Sequence, residues 1–136
     1  MSILVEAHAV PPHLLSKIAA LPHAEKYAEL QKSEVRAAIL QEFEIVRVPA
    51  KAKQFINFDK TLILGEQPNY EQPLTQSIAY RANTLGIAAA ALAYDEMMKE
   101  NGHGLLYLTF LNYADGSLQP SLEMMQHPNT VLGLGD

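Results

Sequence analysis

Apolar residues in the first third of the chain recur at the spacing of amphipathic helices, and prolines separate the segments that carry them. The pattern predicts three short helices: residues 13–21, residues 24–31, and a third that begins at Ser33, a residue type that caps helices. Pro22 ends the first of them because a proline cannot continue a helix. Residues 2–10 are rich in Ile, Leu, Val and Ala, and they predict a short strand ahead of these helices.

The spacing of apolar residues then shortens to that of strands. Residues 44–48 are rich in β-branched side chains and are followed by a proline, which predicts one strand. Residues 54–58 and 61–64 flank the pair Asp59-Lys60. We expect these two segments to form a hairpin around that pair.

Residues 74–100 predict one long helix, because no proline interrupts them and Asn101-Gly102 follows as a stop signal. Its middle, residues 85–94, has no charged side chain on any face, and we expect such a helix to be covered on all sides. Small residues four positions apart let another backbone approach closely, either the chain's own sheet or a second copy. The expected interface residues are Ala82, Gly86, Ala90 and Tyr94.

The last third of the chain again predicts strands. Residues 105–113 form a nearly continuous apolar run, and Asp115-Gly116 is a strong hairpin signal. Residues 117–125 would be the return strand, which Pro120 places at a sheet edge. We therefore expect a single α+β domain over residues 1–136. Short N-terminal helices precede a mixed or antiparallel sheet, the long helix packs on that sheet, and a β-hairpin ends the domain.

Composition narrows the class of protein. Of 136 residues, 49% are apolar and 18% are charged, which is typical of a globular chain. The absence of cysteine excludes disulfide scaffolds, thiol catalysis and thiolate metal sites. No apolar stretch is long enough to span a bilayer, and the N-terminus lacks the features of a signal peptide. We expect a cytoplasmic protein that does not bind membranes.

Charge is distributed unevenly along the chain. Residues 1–68 carry eight acidic and eight basic side chains, whereas residues 69–136 carry seven acidic side chains and two basic ones, Arg81 and Lys99. The net charge of −5 argues against binding to nucleic acid through a basic surface. The segment after Asn101 is nearly uncharged, so we expect it to be buried in the fold or against a partner.

Motifs for chemistry are scarce. None of the five histidines has the helical spacing of a metal site, and we expect neither a metal nor another cofactor. The chain has no nucleophile elbow and no phosphate loop, which favours a protein without enzymatic activity. Arg81 and His103 are the candidate catalytic residues of the enzyme alternative, and Tyr70 and Glu71 complete its candidate ligand pocket. The competing interpretation is a structural ion pair of Arg81 with Glu71, Asp95 or Glu96.

The sequence therefore favours a non-enzymatic protein-interaction or assembly protein. We expect a small accessory or inhibitor-type protein that forms a homo-oligomer or binds a protein partner, as small bacterial and phage proteins of this profile do by analogy. The charge-free helix centre and the five methionines, which adapt to irregular contact surfaces, are the main support for it. The alternative is a small-ligand-binding protein or an enzyme with a pocket around Arg81 and His103.

Overall fold

The computed structural model describes residues 17–45, 56–65, 67–109, 113, 116–131 and 133. Within these residues the predicted α+β class is confirmed, because helices pack with one two-stranded antiparallel sheet. The predicted strand over residues 2–10 lies outside the described residues. The elements in chain order are α1 (His23–Leu30), α2 (Ser33–Ile45), a 3-10 helix (Phe58–Lys60), β1 (Thr61–Leu64), a second 3-10 helix (Leu74–Gln76), α3 (Ile78–Leu85), α4 (Ala89–Met97), α5 (Lys99–Gly102), β2 (Leu105–Leu108) and α6 (Gln119–Gln126).

The N-terminal helices form as the apolar spacing predicts. Residues 17–19 are helical and belong to the first predicted helix, of which residues 13–16 lie outside the described part. The second and third are α1 and α2. Their apolar stripes are buried in one cluster, which consists of Ile18, Leu30, Val35, Ile39 and Tyr94. Burial of these stripes, more than intrinsic propensity, is what stabilises such short helices.

The strand predicted to begin at Glu44 is wrong at its start, because α2 continues to Ile45. The helical stripe of α2 extends to Phe43, whose ring lies 5.6 Å from the ring of Phe58. This tertiary contact stabilises the last turn of α2 as a helix, although the β-branched residues that follow locally favour a strand. Residues 46–48 of the predicted strand lie outside the described residues.

The sheet joins segments that are far apart in the sequence. Both strands occur where predicted, but β1 pairs with β2, with Thr61 opposite Leu108 and Leu64 opposite Leu105. The hairpin predicted around Asp59-Lys60 is wrong in its described part, since Phe58–Lys60 is a 3-10 helix. The side chain of Asn57 accepts a hydrogen bond from the backbone of Asp59 and starts that turn. A two-residue hairpin turn prefers glycine, and neither Asp59 nor Lys60 supplies it.

The single helix predicted over residues 74–100 is wrong. Ser77 caps α3 by accepting a hydrogen bond from the backbone of Tyr80, so the helix starts there. Gly86 adopts a left-handed conformation with φ of 67° and ends α3. The Ile87 and Gly86 amides donate to the carbonyls of Ala82 and Asn83, which is the pattern of a Schellman motif. A cap and a stop therefore divide a segment that its apolar character made look continuous.

Packing of this region on the sheet is as predicted, although the helix is divided. The second core cluster consists of Ile78, Ala82, Leu92 and Ala93, packed against Phe58, Ile63, Ala89 and Leu106. Residues of α3, α4, β1 and β2 therefore share one apolar core. No helix in the described part of the chain has the length and apolar character needed to cross a membrane.

The C-terminal hairpin is confirmed in its strand β2 and in a turn at Gly116, whose φ is 76°. The return arm differs from the prediction, because residues 119–126 form α6 and not a strand. Pro120 lies in the first turn of α6, where its missing amide hydrogen leaves no helical hydrogen bond unmade. The same proline that indicated an edge strand is therefore equally suited to a helix start.

Candidate functional site

The turn between α3 and α4 is an exposed and uncharged corner. Leu85 is 60% exposed and Ile87 is 44% exposed, and Gly86 and Ala88 are exposed as well. No charged side chain occurs from residue 82 to residue 94. We call residues 85–88 the apolar corner. It exists because the Schellman turn carries the chain away from the core that the rest of α3 and α4 fill.

The small-residue line predicted as an interface does not form, because its four residues are not on one helix. Ala82 is 2% exposed and Tyr94 is 4% exposed, and both lie in the chain's own core. Gly86 is the left-handed residue that ends α3, and Ala90 is half-buried in the first turn of α4. Of the predicted interface residues, only Gly86 belongs to the apolar corner, and Ala90 lies shortly after it.

A second exposed apolar surface lies on α6. Leu122 and Met125 are separated by three positions, so they share one face of this helix, and Met124 is exposed beside them. Methionines at residues 124 and 125 were part of the sequence argument for interaction. Met124 is 59% exposed and Met125 is 49% exposed.

Arg81 belongs to a cluster around a buried carboxylate. Glu96 is 6% exposed, and its Oε2 lies 2.6 Å from Nζ of Lys99. Its Oε1 lies 3.6 Å from Nη2 of Arg81, across the gap between α3 and α4. Glu96 is one of the three acidic residues that the sequence analysis names as ion-pair partners of Arg81. We call Arg81, Glu96 and Lys99 the Glu96 cluster.

His103 contacts a residue that the sequence analysis did not select. Its ring stacks on that of His23, with 4.3 Å between the ring centroids and 26° between the planes. Nε2 of His23 lies 3.0 Å from the carbonyl oxygen of Asn101, which a protonated Nε2 can donate to. Both histidines are exposed. No local pattern could have found His23, because the fold brings it to His103 across 80 positions.

Tyr70 and Glu71 lie elsewhere. Tyr70 packs edge-on against the ring of Tyr107 on β2, with 5.5 Å between centroids. Oε1 of Glu71 accepts a hydrogen bond of 3.1 Å from the backbone of Leu118, the residue before α6. Within the described residues, no hydrogen bond, ion pair or ring contact links these two residues to Arg81 or His103. The side chains of the four predicted pocket residues therefore contact different partners, although the backbone amide of His103 donates to the carbonyl of Lys99 in the Glu96 cluster.

An open cleft of about 450 Å³ lies between the first 3-10 helix and α3. Asp59 and Asn83 are its exposed polar residues, and the hydroxyl of Ser77 is already the cap of α3. The lining residues are Asp59, Leu74, Ser77, Ala79, Tyr80 and Asn83. Sequence reasoning missed it because Asp59 was assigned to a hairpin turn. Among the described residues, no three His, Asp or Glu side chains are arranged to hold a metal ion.

The pKa values of Arg36, in an exposed ion pair, and of the buried Tyr94 are both raised. The guanidinium of Arg36 makes two hydrogen bonds to the carboxylate of Asp95, at 2.9 and 2.8 Å, and this contact raises the pKa of Arg36. Burial raises the pKa of Tyr94 to about 12, against an opposing effect of the nearby Arg36. Both shifts belong to contacts that join α4 to the N-terminal helices.

Comparison of this chain with protein-family models, curated proteins and solved structures finds no match. Function must therefore be inferred from the residues and their contacts.

Proposed function

We propose that this chain is a non-enzymatic interaction protein that associates with a second copy of itself through the apolar corner. The observation that carries the proposal is the exposure of Leu85 and Ile87 inside a segment without charge. Contiguous exposed apolar patches larger than a few hundred Å² mark interaction sites, and we infer that Leu85 and Ile87 form the centre of one. We propose an accessory or inhibitor-type role for this assembly.

Charge favours a second copy as the occupant of this surface. Each chain carries a net charge of −5, and residues 69–136 carry seven acidic side chains against two basic ones. Two copies therefore repel each other over much of their surface. No charged side chain occurs from residue 82 to residue 94, and the nearest charge, that of Arg81 one helical turn before Leu85, faces Glu96 of its own chain. Two copies that meet at the corner therefore bring no acidic side chains of residues 82–94 together. A two-fold axis through such a corner gives a self-complementary contact.

The contacts of the polar candidates also support a non-enzymatic protein. Arg81 faces Glu96, Glu71 accepts from the backbone of Leu118, and His103 stacks on His23. Each of these contacts joins two parts of the fold. A structural role accounts for each of them without a substrate.

The test is the mass of the protein in solution, measured by size-exclusion chromatography with light scattering. At tens of micromolar we expect twice the mass of one chain. The double variant Leu85→Lys, Ile87→Lys places two charges in the corner and is expected to run as a folded monomer with unchanged circular dichroism. A lysine in the last turn of α3 is compatible with the helix because it complements the helix dipole.

Met124→Lys is the matched control, since Met124 on α6 is 59% exposed and Leu85 is 60% exposed. The control adds the same type of charge to another apolar surface, and we expect it to keep the mass of two chains. A monomeric wild-type protein overturns the proposal. Dissociation by Met124→Lys but not by the corner double variant overturns the assignment of the interface to residues 85–88.

A further inference from the structure

The two basic residues of the second half of the chain converge on one carboxylate. Residues 69–136 contain Arg81 and Lys99 as their basic residues, and both contact Glu96. Among these three side chains two positive charges face one negative charge, which leaves an excess of one positive charge; the carboxylate of Glu100, next to Lys99 in the chain, forms no ion pair among the described residues. This excess occurs in a half of the chain whose net charge is −5.

The geometry of the Glu96 cluster separates the two cations. Lys99 contacts Oε2 at 2.6 Å and Arg81 faces Oε1 at 3.6 Å, so they do not compete for the same oxygen. Glu96 is 6% exposed, and its position near the end of α4 is fixed by the packed core. This buried carboxylate keeps Lys99 beside it through a close ion pair and attracts the guanidinium of Arg81 over a longer distance.

Arg81 retains donors for another acceptor. A guanidinium has five N–H donors, and the distance of 3.6 Å to Glu96 exceeds that of a hydrogen bond. In the part of the chain that the structure describes, the guanidinium of Arg81 has no hydrogen bond to any group. The side chain of Arg81 is 37% exposed and that of Lys99 is 62% exposed, so a dissolved ion can reach both.

We propose that Arg81 and Lys99 bind a small oxyanion, such as a phosphate or carboxylate group, with Glu96 as the residue that positions them. The planar fork of the guanidinium matches two oxygens of either group, and the lysine adds a point charge. One bound anionic charge balances the excess of the cluster. Arg81 lies one helical turn before Leu85 of the apolar corner. Each chain carries its own Arg81, Glu96 and Lys99, so anion binding is tested on the monomeric double variant Leu85→Lys, Ile87→Lys as well as on the wild-type protein.

The experiment is a titration followed by ¹H–¹⁵N NMR, with inorganic phosphate in one series and succinate in another, at constant ionic strength set by sodium chloride. We expect saturable shifts of the Arg81 side-chain signal and of the amides around Lys99. Saturation by phosphate alone assigns a phosphate site, and saturation by succinate alone assigns a carboxylate site. Either result supports the proposal, and the absence of saturation in both series overturns it.

Two pairs of variants distinguish anion binding at Arg81 and Lys99 from a non-specific effect of removing a positive charge. Arg81→Gln and Lys99→Gln should each weaken binding by about tenfold or more, as expected for the loss of a hydrogen bond to a charged group. Arg36→Gln is the control for Arg81, since both arginines are 37% exposed and each faces one carboxylate. Lys32→Gln is the control for Lys99, since both lysines pair with a glutamate three positions earlier. Equal losses in variants and controls overturn the proposal.

Discussion

The hydroxyl of Tyr94 donates a hydrogen bond of 2.7 Å to the backbone carbonyl of Leu30, a residue 64 positions earlier in the chain. Leu30 ends α1, so its carbonyl is one of those that a helix leaves without an internal partner. Both residues are buried in the N-terminal core cluster. One side chain of α4 therefore satisfies the end of α1 and joins the helical N-terminal part to the part that contains the sheet.

Replacement of Tyr94 by Phe is expected to destabilise the protein. The variant keeps the ring in the core but leaves the buried Leu30 carbonyl without its partner, at a cost of about 1–3 kcal/mol. Urea unfolding followed by circular dichroism measures the change. Tyr80→Phe is the control, because Tyr80 is exposed on α3 and its loss of a hydroxyl should cost much less. Equal stability of the two variants would contradict a structural role for the Tyr94 hydroxyl.

The same contact predicts a loss of stability at alkaline pH. Burial raises the pKa of Tyr94 to about 12, from the ordinary value of 10.0. The folded state therefore holds this proton more tightly than the unfolded state, and the stabilisation is complete below pH 10 and lost as the pH rises through about 12. The difference in unfolding free energy between wild type and Tyr94→Phe should narrow over that interval. A difference that stays constant to pH 12 would be inconsistent with the shifted pKa.

Local patterns predicted the elements better than they predicted the pairing of those elements. The helical stripes of α1 and α2 and the apolar runs of β1 and β2 are visible in the sequence, because periodicity reflects which side must be buried. The partner of β1 is not visible in the sequence. Thr61–Leu64 pairs with Leu105–Leu108, and α3 and α4 stabilise this pairing because they pack on both strands. Long-range pairing of this kind has no local signal.

The division of the predicted long helix could have been found. Ser77 is a residue type favoured as an N-cap, and Gly86 is the residue type favoured just after a helix C-terminus. The prediction of one helix rests instead on the absence of proline and on the apolar character of residues 85–94. The structure instead exposes the corner at Leu85 and Ile87.

The candidate site was predicted in part. Glu96 was one of three partners offered for Arg81, and it is the one that Arg81 faces. The spacing of Glu96 and Lys99 is that of a helical ion pair, which sequence alone can suggest. The stacking of His23 on His103 depends on how the turn at Lys99–Gly102 meets α1, and no pattern within either segment contains that information.

Replacement of Gly104 by any residue with a side chain is expected to destabilise the protein. The chain turns back beside the end of α4, and a Cβ at residue 104 would overlap the backbone carbonyl oxygen of Glu96. Gly104→Ala should therefore lower the free energy of unfolding by about 3 kcal/mol, as overpacking against a rigid backbone does. Urea unfolding again measures it. In the matched control Gly65→Ala, the added Cβ meets no described residue within 4 Å apart from its neighbours in the chain, and little change is expected. Similar losses in the two variants would contradict the close approach at Gly104.

Two variants of Gly86 test whether the apolar corner needs a glycine for its backbone conformation or for close packing of a second chain. The φ of 67° at Gly86 is left-handed, and a Cβ built there meets none of the other described residues within 4 Å beyond its neighbours in the chain. If backbone conformation is the reason, Gly86→Ala costs about 1–2 kcal/mol. Asparagine tolerates left-handed backbone better, so Gly86→Asn should cost less than Gly86→Ala.

If instead a second chain packs closely on Gly86, the order of the two variants reverses, because asparagine is the larger side chain. We expect the first order in unfolding experiments on dilute, monomeric protein, where backbone strain acts alone. At concentrations at which two copies associate, light scattering should show a greater loss of dimer for Gly86→Asn than for Gly86→Ala if the corner is the interface. A dimer that tolerates Gly86→Asn would mean that the two copies meet beside residue 86 and not on it, with Leu85 and Ile87 making the contact.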